Sequence, residues 1–295
     1  MGARAFTTTS GGGFDLMQET ISCSGIAEIP LVVVLAQRIG AGTGVPTWTG
    51  ASDLQIAVKA GHGEFPKAVL YVSDIASAYT LTQKAFNIAE KYQIPVILLT
   101  EKQIAESLFS VDALPEDIDI ERGLNEKGPR YEITETGVSS RWIPEFDSPT
   151  YLNTSDEHNS KGESTENSQE IINMSQKRMR KLEFLSNEIP EPSFYGEIAA
   201  NTVLVGYGST KNTVLDVIAT GKELSYLHYD HIYPLKTNLL QNLIAQGKRL
   251  ILIENNQTGE FGKLIAETCG YQFKEKILKA DGRPFFIEDI LDIEI

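Results

Sequence analysis

Arg38 stands just past an apolar, valine-rich run (LVVVLAQ, residues 31–37) and is followed by Gly40, Gly42 and Gly44, with Thr43 between them and Thr47 after. A guanidinium is a permanent cation with a planar fork of donors that matches a carboxylate or phosphate. The glycines let backbone approach a ligand closely and take positive φ without Cβ strain. The spacing predicts an anion site at Arg38, Gly42 and Thr43; a solvated arginine beside a flexible loop satisfies it equally. A second candidate is the turn Ser10-Gly11-Gly12-Gly13, between a β-branched run and a helical one. Backbone N–H groups there can face an anion or a ring, although a tight connection explains the glycines as well. His62 lies between Gly61 and Gly63, exposed to whatever that turn faces; a hydrogen-bonded turn histidine is the plainer reading. Asp156, Glu157 and His158 could pass for metal ligands, but their polar flanks offer no rigid element, and no metal site is expected.

These residues need strands that end where they stand. Residues 5–10 read as a strand and residues 14–25 as a helix. Residues 32–35 read as a strand buried on both faces, as in a parallel sheet. A short helix follows near residue 54, and then a strand at 68–72. Asp74 reads as the N-cap of a helix over residues 75–92, whose Ala78, Leu81, Ala85, Ile88 and Ala89 form one apolar stripe. Residues 95–100 are another buried strand, followed by a short helix. Strand and helix alternate, so the first fold-class expectation is α/β with a doubly wound parallel layer. In such layers ligands collect outside the carboxyl ends of the strands.

Residues 111–126 are acidic and turn-rich, residues 132–149 carry short alternations typical of hairpins, and residues 152–169 read as a flexible polar linker. A helix over 171–187 clusters Lys177, Arg178, Arg180 and Lys181, a pattern expected of a solvated basic face. After Pro190-Glu191-Pro192 the alternation resumes: strands at 202–205, 224–229 and 249–254, helices at 211–220, after Pro234 to 246, and up to Cys269. The turn Gly206-Tyr207-Gly208-Ser209-Thr210 lacks the third glycine of a dinucleotide loop, so strand-to-helix packing is its expected job.

Of the 295 residues, forty are acidic and twenty-six basic, a formal charge of −14. That argues against nucleic-acid binding, which draws on a basic face. No run approaches the roughly 20 apolar residues of a membrane span, and no secretory signal is visible at the N-terminus. The two cysteines, Cys23 and Cys269, are far apart and can build neither an iron–sulfur cluster nor a structural zinc site alone. A reducing, cytoplasmic setting is the default.

The segment from Gln37 to Thr47 resembles the Q-R-x-G-x-x-T-G-x-P-T segment of the alpha subunits of 2-oxoacid:ferredoxin oxidoreductases, the 2-oxoglutarate type above all. The family usually has Gly-Pro-Ser-Thr-Gly where this chain has Gly40-Ala41-Gly42-Thr43-Gly44. GARAFTTTSGGGFDLMQE is similar to its G-x-R-x-x-T-x-T-S-G-P-G-F-x-L-M-x-E segment, with Gly12 for proline. Gly61-His62-Gly63-Glu64, Asp156-Glu157-His158 with Gly162, VLVGYGST, IENNQTG and ILKADGRPF resemble further family segments in the same order. The resemblance implies a thiamine-diphosphate pyrimidine-type domain over 1–110, a connecting segment over 111–198 whose D-E-H part is an ordered loop near the active-site entrance, and a transketolase C-terminal-like α/β domain over 199–295. It implies that Arg38, Gly42, Thr43 and His62 meet the 2-oxo acid, and that Thr9, Ser10, Gly11, Gly13 and Phe14 meet the cofactor.

The implied activity is oxidative decarboxylation of a 2-oxo acid to its coenzyme A thioester with reduction of ferredoxin. The implied partner is a beta subunit carrying magnesium, the diphosphate site and a 4Fe–4S cluster. In the family the pyrimidine domain begins upstream of the GARAF-like segment, with a Y-P-I-T-P loop and a cofactor-activating glutamate. The chain is therefore expected to be the C-terminal part of such a subunit, inactive alone. A non-catalytic docking module for the beta subunit is the alternative.

Overall fold

Valine-rich and leucine-rich runs build two five-stranded sheets, seen in a computed structural model that describes residues 2–125, 128–144 and 150–293. The chain runs β1 (Phe6–Thr9), α1 (Gly11–Asp15), α2 (Gln18–Ile26), β2 (Leu31–Gln37), α3 (Leu54–Val58), β3 (Ala68–Tyr71), α4 (Ile75–Tyr92), β4 (Pro95–Glu101) and α5 (Lys102–Glu106). It continues through α6 (Ser168–Glu188), β5 (Ser193–Tyr195), β6 (Thr202–Tyr207), α7 (Thr210–Ala219), β7 (Leu224–Tyr229), β8 (His231–Tyr233), α8 (Asn238–Ala245), β9 (Arg249–Glu254), α9 (Glu260–Cys269), β10 (Glu275–Leu278) and α10 (Glu288–Leu291).

The first sheet has the order β1-β2-β4-β3-β8, with β8 antiparallel on β3 and the other pairs parallel. The second has the order β10-β9-β6-β7-β5, parallel except for β5. This is the expected α/β class. The alternation of side chains along a strand splits each run between two cores. Val33, Leu35, Tyr71, Ile97 and Leu99 face Val203, Val205, Tyr207 and Leu252 of the second sheet. Val32, Leu70, Val96 and Leu98 pack on Leu81, Ala85 and Ala89 of α4. Asp74 does cap α4: its Oδ1 accepts from Ser77 N at 2.7 Å and its own N donates to Ser77 Oγ at 2.9 Å, a closed capping box.

Four sequence readings need correction. The helix over 14–25 is two helices, because the Phe14 carbonyl accepts from Met17 N and from the Gln18 side-chain amide, which turns the chain between them. The hairpins over 132–149 do not form among the described residues; Ser139 O and Glu132 O instead accept from Gln93 and Ser139 side chains, and residues 145–149 of that expectation lie outside the described ones. The polar stretch 152–169 is ordered, with a bridge between His158 and Ser164 and with His158 fully buried. The basic cluster of α6 is no solvated face: Lys177, Arg178 and Lys181 are 0%, 3% and 0% exposed. Lys177 Nζ stands 2.6 Å from Glu28 Oε1, Lys181 pairs with the other Glu28 oxygen, and Arg178 grips Glu157 with both terminal nitrogens. Their charge is met by carboxylates distant in sequence, which a helical pattern cannot reveal.

Candidate functional site

The parallel register sets the carboxyl ends of β1, β2 and β4 side by side: Thr9 lies opposite Leu35, and Gln37 opposite Glu101. Arg38 leaves β2 at that edge, half-buried, and its Nε donates to the Thr43 carbonyl at 2.6 Å. The loop between is closed by Val45 N to Ile39 O at 2.9 Å and Gly44 N to Ala41 O at 3.0 Å. Its glycines have φ of +98° at Gly40, +63° at Gly42 and +58° at Gly44. Gly44 has no alternative, since a Cβ there would stand 2.1 Å from Ile39 O, whereas Gly42 faces open space. Gly42 and Thr43 are exposed at the tip.

Asp53 joins this loop to the first glycine turn. Its N–H donates to Gln37 Oε1 at 2.8 Å, and Gln37 Nε2 donates to Tyr71 OH at 3.0 Å. A Cβ on Gly11 would lie 2.9 Å from Asp53 Oδ2. Burial raises the Asp53 pKa, the nearby Asp15 adds to this, and the Arg38 cation opposes it. Arg38, Asp53 and Gly11 therefore share one neighbourhood. Within the turn, Gly13 makes room for Thr9, whose Oγ1 lies 2.0 Å from where a Gly13 Cβ would stand, while a Cβ on Gly12 would meet nothing. Ser10 gives its carbonyl to Phe14 N at 2.9 Å. The Phe14 ring is fully buried and its N–H already bonded, because the turn rotates it into the core. Thr9, Ser10, Gly11 and Gly13 remain at the edge, half-buried.

Beneath the edge lies a buried polar layer that sequence reasoning missed. Glu101 accepts from Thr49 Oγ1 and from Ser209 N, both at 3.0 Å, so the GYGST turn binds the end of the first sheet. Glu254 accepts from Asn256 Nδ2 at 2.7 Å, Tyr207 OH at 3.2 Å, and the N–H groups of Phe261 and Gly262 at 3.0 Å each. Burial pushes both carboxyls upward despite these donors. Glu260 rises to about 7 through burial, reinforced by Glu254 and Asp53 and opposed by a bond from Gln55 N. A cleft of about 420 Å³ opens here, lined by Gly40, Ser52, Asp53, Asn256 and Glu260. The available signal was a polar residue closing each apolar strand: Gln37, Glu101 and Glu254.

His62 stands on a separate turn. It is exposed, its Nε2 lies 3.1 Å from Glu19 Oε2, and it lines a different cleft of about 340 Å³ with Cys23, Ser155, Glu157 and Arg178. That cleft shares no lining residue with the one beside Arg38. Nor do Asp156, Glu157 and His158 converge: Glu157 holds Arg178, and the His158 ring packs on Tyr131 with centroids 4.2 Å apart. Burial pushes the His158 pKa down. Among the described residues, no group of three or more His, Cys, Asp or Glu could hold a metal ion, and no helix is long and apolar enough to cross a membrane.

The model for the thiamine-diphosphate-binding domain of pyruvate flavodoxin/ferredoxin oxidoreductases matches residues 1–178. Among curated proteins, subunit alpha of 2-oxoacid:ferredoxin oxidoreductase 1 from Sulfurisphaera tokodaii is 35% identical over 98% of this chain and 48% of its own length. The 2-oxoglutarate synthase subunit KorA of Methanocaldococcus jannaschii is 30% identical over 86% of this chain and 70% of its own length. The solved 2-oxoglutarate:ferredoxin oxidoreductase from Magnetococcus marinus, with 2-oxoglutarate, coenzyme A and succinyl-CoA bound, superposes with a TM-score of 0.88 at 28% identity, over 97% of this chain and 51% of that one. The chain thus spans about half the length of the first of these relatives and of the solved chain.

Proposed function

This chain belongs to the 2-oxoacid:ferredoxin oxidoreductase alpha-subunit family, and from that premise we propose that it contributes one wall of a site where a 2-oxo acid is oxidatively decarboxylated to its acyl-CoA, with electrons leaving to ferredoxin. The observation that carries this reading is Arg38 at the carboxyl edge of the first sheet, beside the open turn at residues 10–13. Arg38 binds the C1 carboxylate through its terminal nitrogens, while its Nε bond to the Thr43 carbonyl sets the angle of the fork. Gly42 and the exposed tip of the loop leave room for the rest of the substrate.

At this turn Gly12 is exposed and a Cβ there would meet open space, which leaves one side of residues 10–13 open to a flat heteroaromatic ring. Thr9, Ser10, Gly11 and Gly13 would hold the pyrimidine of thiamine diphosphate, shared with a beta subunit. Bound there, the cofactor supplies carbanion stabilisation; the residues of this chain position and neutralise charge. Magnesium, the diphosphate and an iron–sulfur cluster belong on the beta side in this reading. 2-Oxoglutarate is the favoured substrate, supported by the names of the Methanocaldococcus and Magnetococcus relatives. Residues 1–110 form the pyrimidine-type unit and 199–295 the transketolase-like one, acting in the cytoplasm.

The test is substrate recognition after mixing with the beta subunit. Arg38→Ala should raise KM for 2-oxoglutarate by about thirtyfold or more, the effect of about 2 kcal/mol lost with a charge-assisted pair, with the chain still folded. An unchanged KM and rate would remove Arg38 from the site. Loss of all cofactor binding to the assembled subunits would leave only a docking role.

A further inference from the structure

The segment Ala280-Asp281-Gly282-Arg283 belongs to the tail motif that the proposed site does not use, yet it lies against the Arg38 loop. Gly282 O accepts from Thr49 N at 3.1 Å. Gly282 is packed so closely that a Cβ there would stand 3.3 Å from Trp48 Cβ and 3.4 Å from Ile39 Cγ2. The Arg283 guanidinium covers the Trp48 ring, with Cζ 3.4 Å from its centroid. The neighbouring Asp281 carboxylate pairs with Lys279 and accepts from the Arg283 backbone N, which leaves the guanidinium to the indole. Its cation is directed to an indole face, the strongest aromatic partner for a cation.

The loop needs an outside hold. Between Gly40 and Trp48 the backbone bonds stay within the loop, and residues 40–48 are all exposed. At its far end Thr49 is held by Glu101 and Gly282. Arg283 adds a contact on the ring of Trp48, the loop's last residue, beside the Gly282 backbone, and it comes more than two hundred residues later in the chain. We propose that Arg283 is a positioning residue: stacked on Trp48, it holds the 40–48 loop in the one conformation in which Thr43 O orients the Arg38 fork. The C-terminal unit thereby takes part in substrate recognition as well as packing. This inference rests on the reading that Arg38 receives the substrate carboxylate.

Fluorotryptophan labelling separates the two ideas, because the chain has only two tryptophans, Trp48 and Trp142. Arg283→Ala should move the Trp48 fluorine resonance and leave that of Trp142, an internal check on folding, in place. In the assembled enzyme the same variant should raise KM for 2-oxoglutarate about threefold to fivefold with kcat little changed, the size expected of one cation–π contact. Arg283→Lys, which keeps the cation, should recover most of both. An unmoved Trp48 signal, or a moved signal with unchanged KM, overturns the proposal. An Arg38→Ala enzyme with normal KM would instead sink the carboxylate reading, while the Trp48 signal still reports on the clamp.

Discussion

Arg38 and Lys181 are both cations, and they end in opposite surroundings. Arg38 sits half-buried on an exposed glycine loop, with one internal bond to a carbonyl and, among the described residues, no ion pair, with Asp53 as the carboxylate near enough to feel its charge. Lys181 is fully buried with Lys177 around the single carboxylate of Glu28, while Arg130 donates to the Glu28 carbonyl at 2.6 Å and to Gln93 Oε1 at 2.8 Å. The three cations hold the Glu28 pKa down at about 2, against the burial that opposes them. Burial and its surplus-cation neighbours lower Lys181 to about 7. One cation is free to meet a ligand; the other is committed to the fold. Charge alone does not separate binding residues from structural ones; the presence of a built-in counter-charge does.

Glu28→Gln leaves buried cations without their partner, and unfolding in urea should show a loss of about 3–5 kcal/mol. Its pH dependence carries a definite sign. A folded carboxyl pKa of about 2 against an ordinary 4.5 means stability present above 4.5 that is lost as pH falls towards 2. The variant should lack that acid limb. Arg38→Ala should do the reverse of Glu28→Gln: stability within about 0.5 kcal/mol of the parent, with the substrate KM raised as stated above. A large stability loss would mean that Arg38 is structural after all. Within the loop itself, Gly44→Ala should cost about 2 kcal/mol or distort the turn, because it combines positive φ with a collision against Ile39 O. Gly42→Ala, with the same backbone hand but open space around it, should cost about 1 kcal/mol, read by thermal unfolding.

Much of the fold was legible because its strands are apolar runs of the right length and α4 carries both a cap and a stripe. β8, the last strand of the first sheet, was not, since His231-Ile232-Tyr233 is three residues long and gains its meaning only from Val69 and Leu70. The Arg38 loop could be found by its glycines and its place after a strand. Asp53 and Glu260 could not, because Asp53 is placed by Gln37 and Gly11 and Glu260 meets Gln55, partners that only the fold brings together.

Local pattern was enough to determine the longer strands, where α4 starts, and that a guanidinium and a run of glycines follow β2; these depend on residues within a few positions of one another. Only the tertiary structure decided which cations are neutralised, that His62 faces a cleft apart from Arg38, and that Arg283 covers Trp48. Each of those is a contact across tens to hundreds of residues, and a charge takes its role from the partner the fold brings to it.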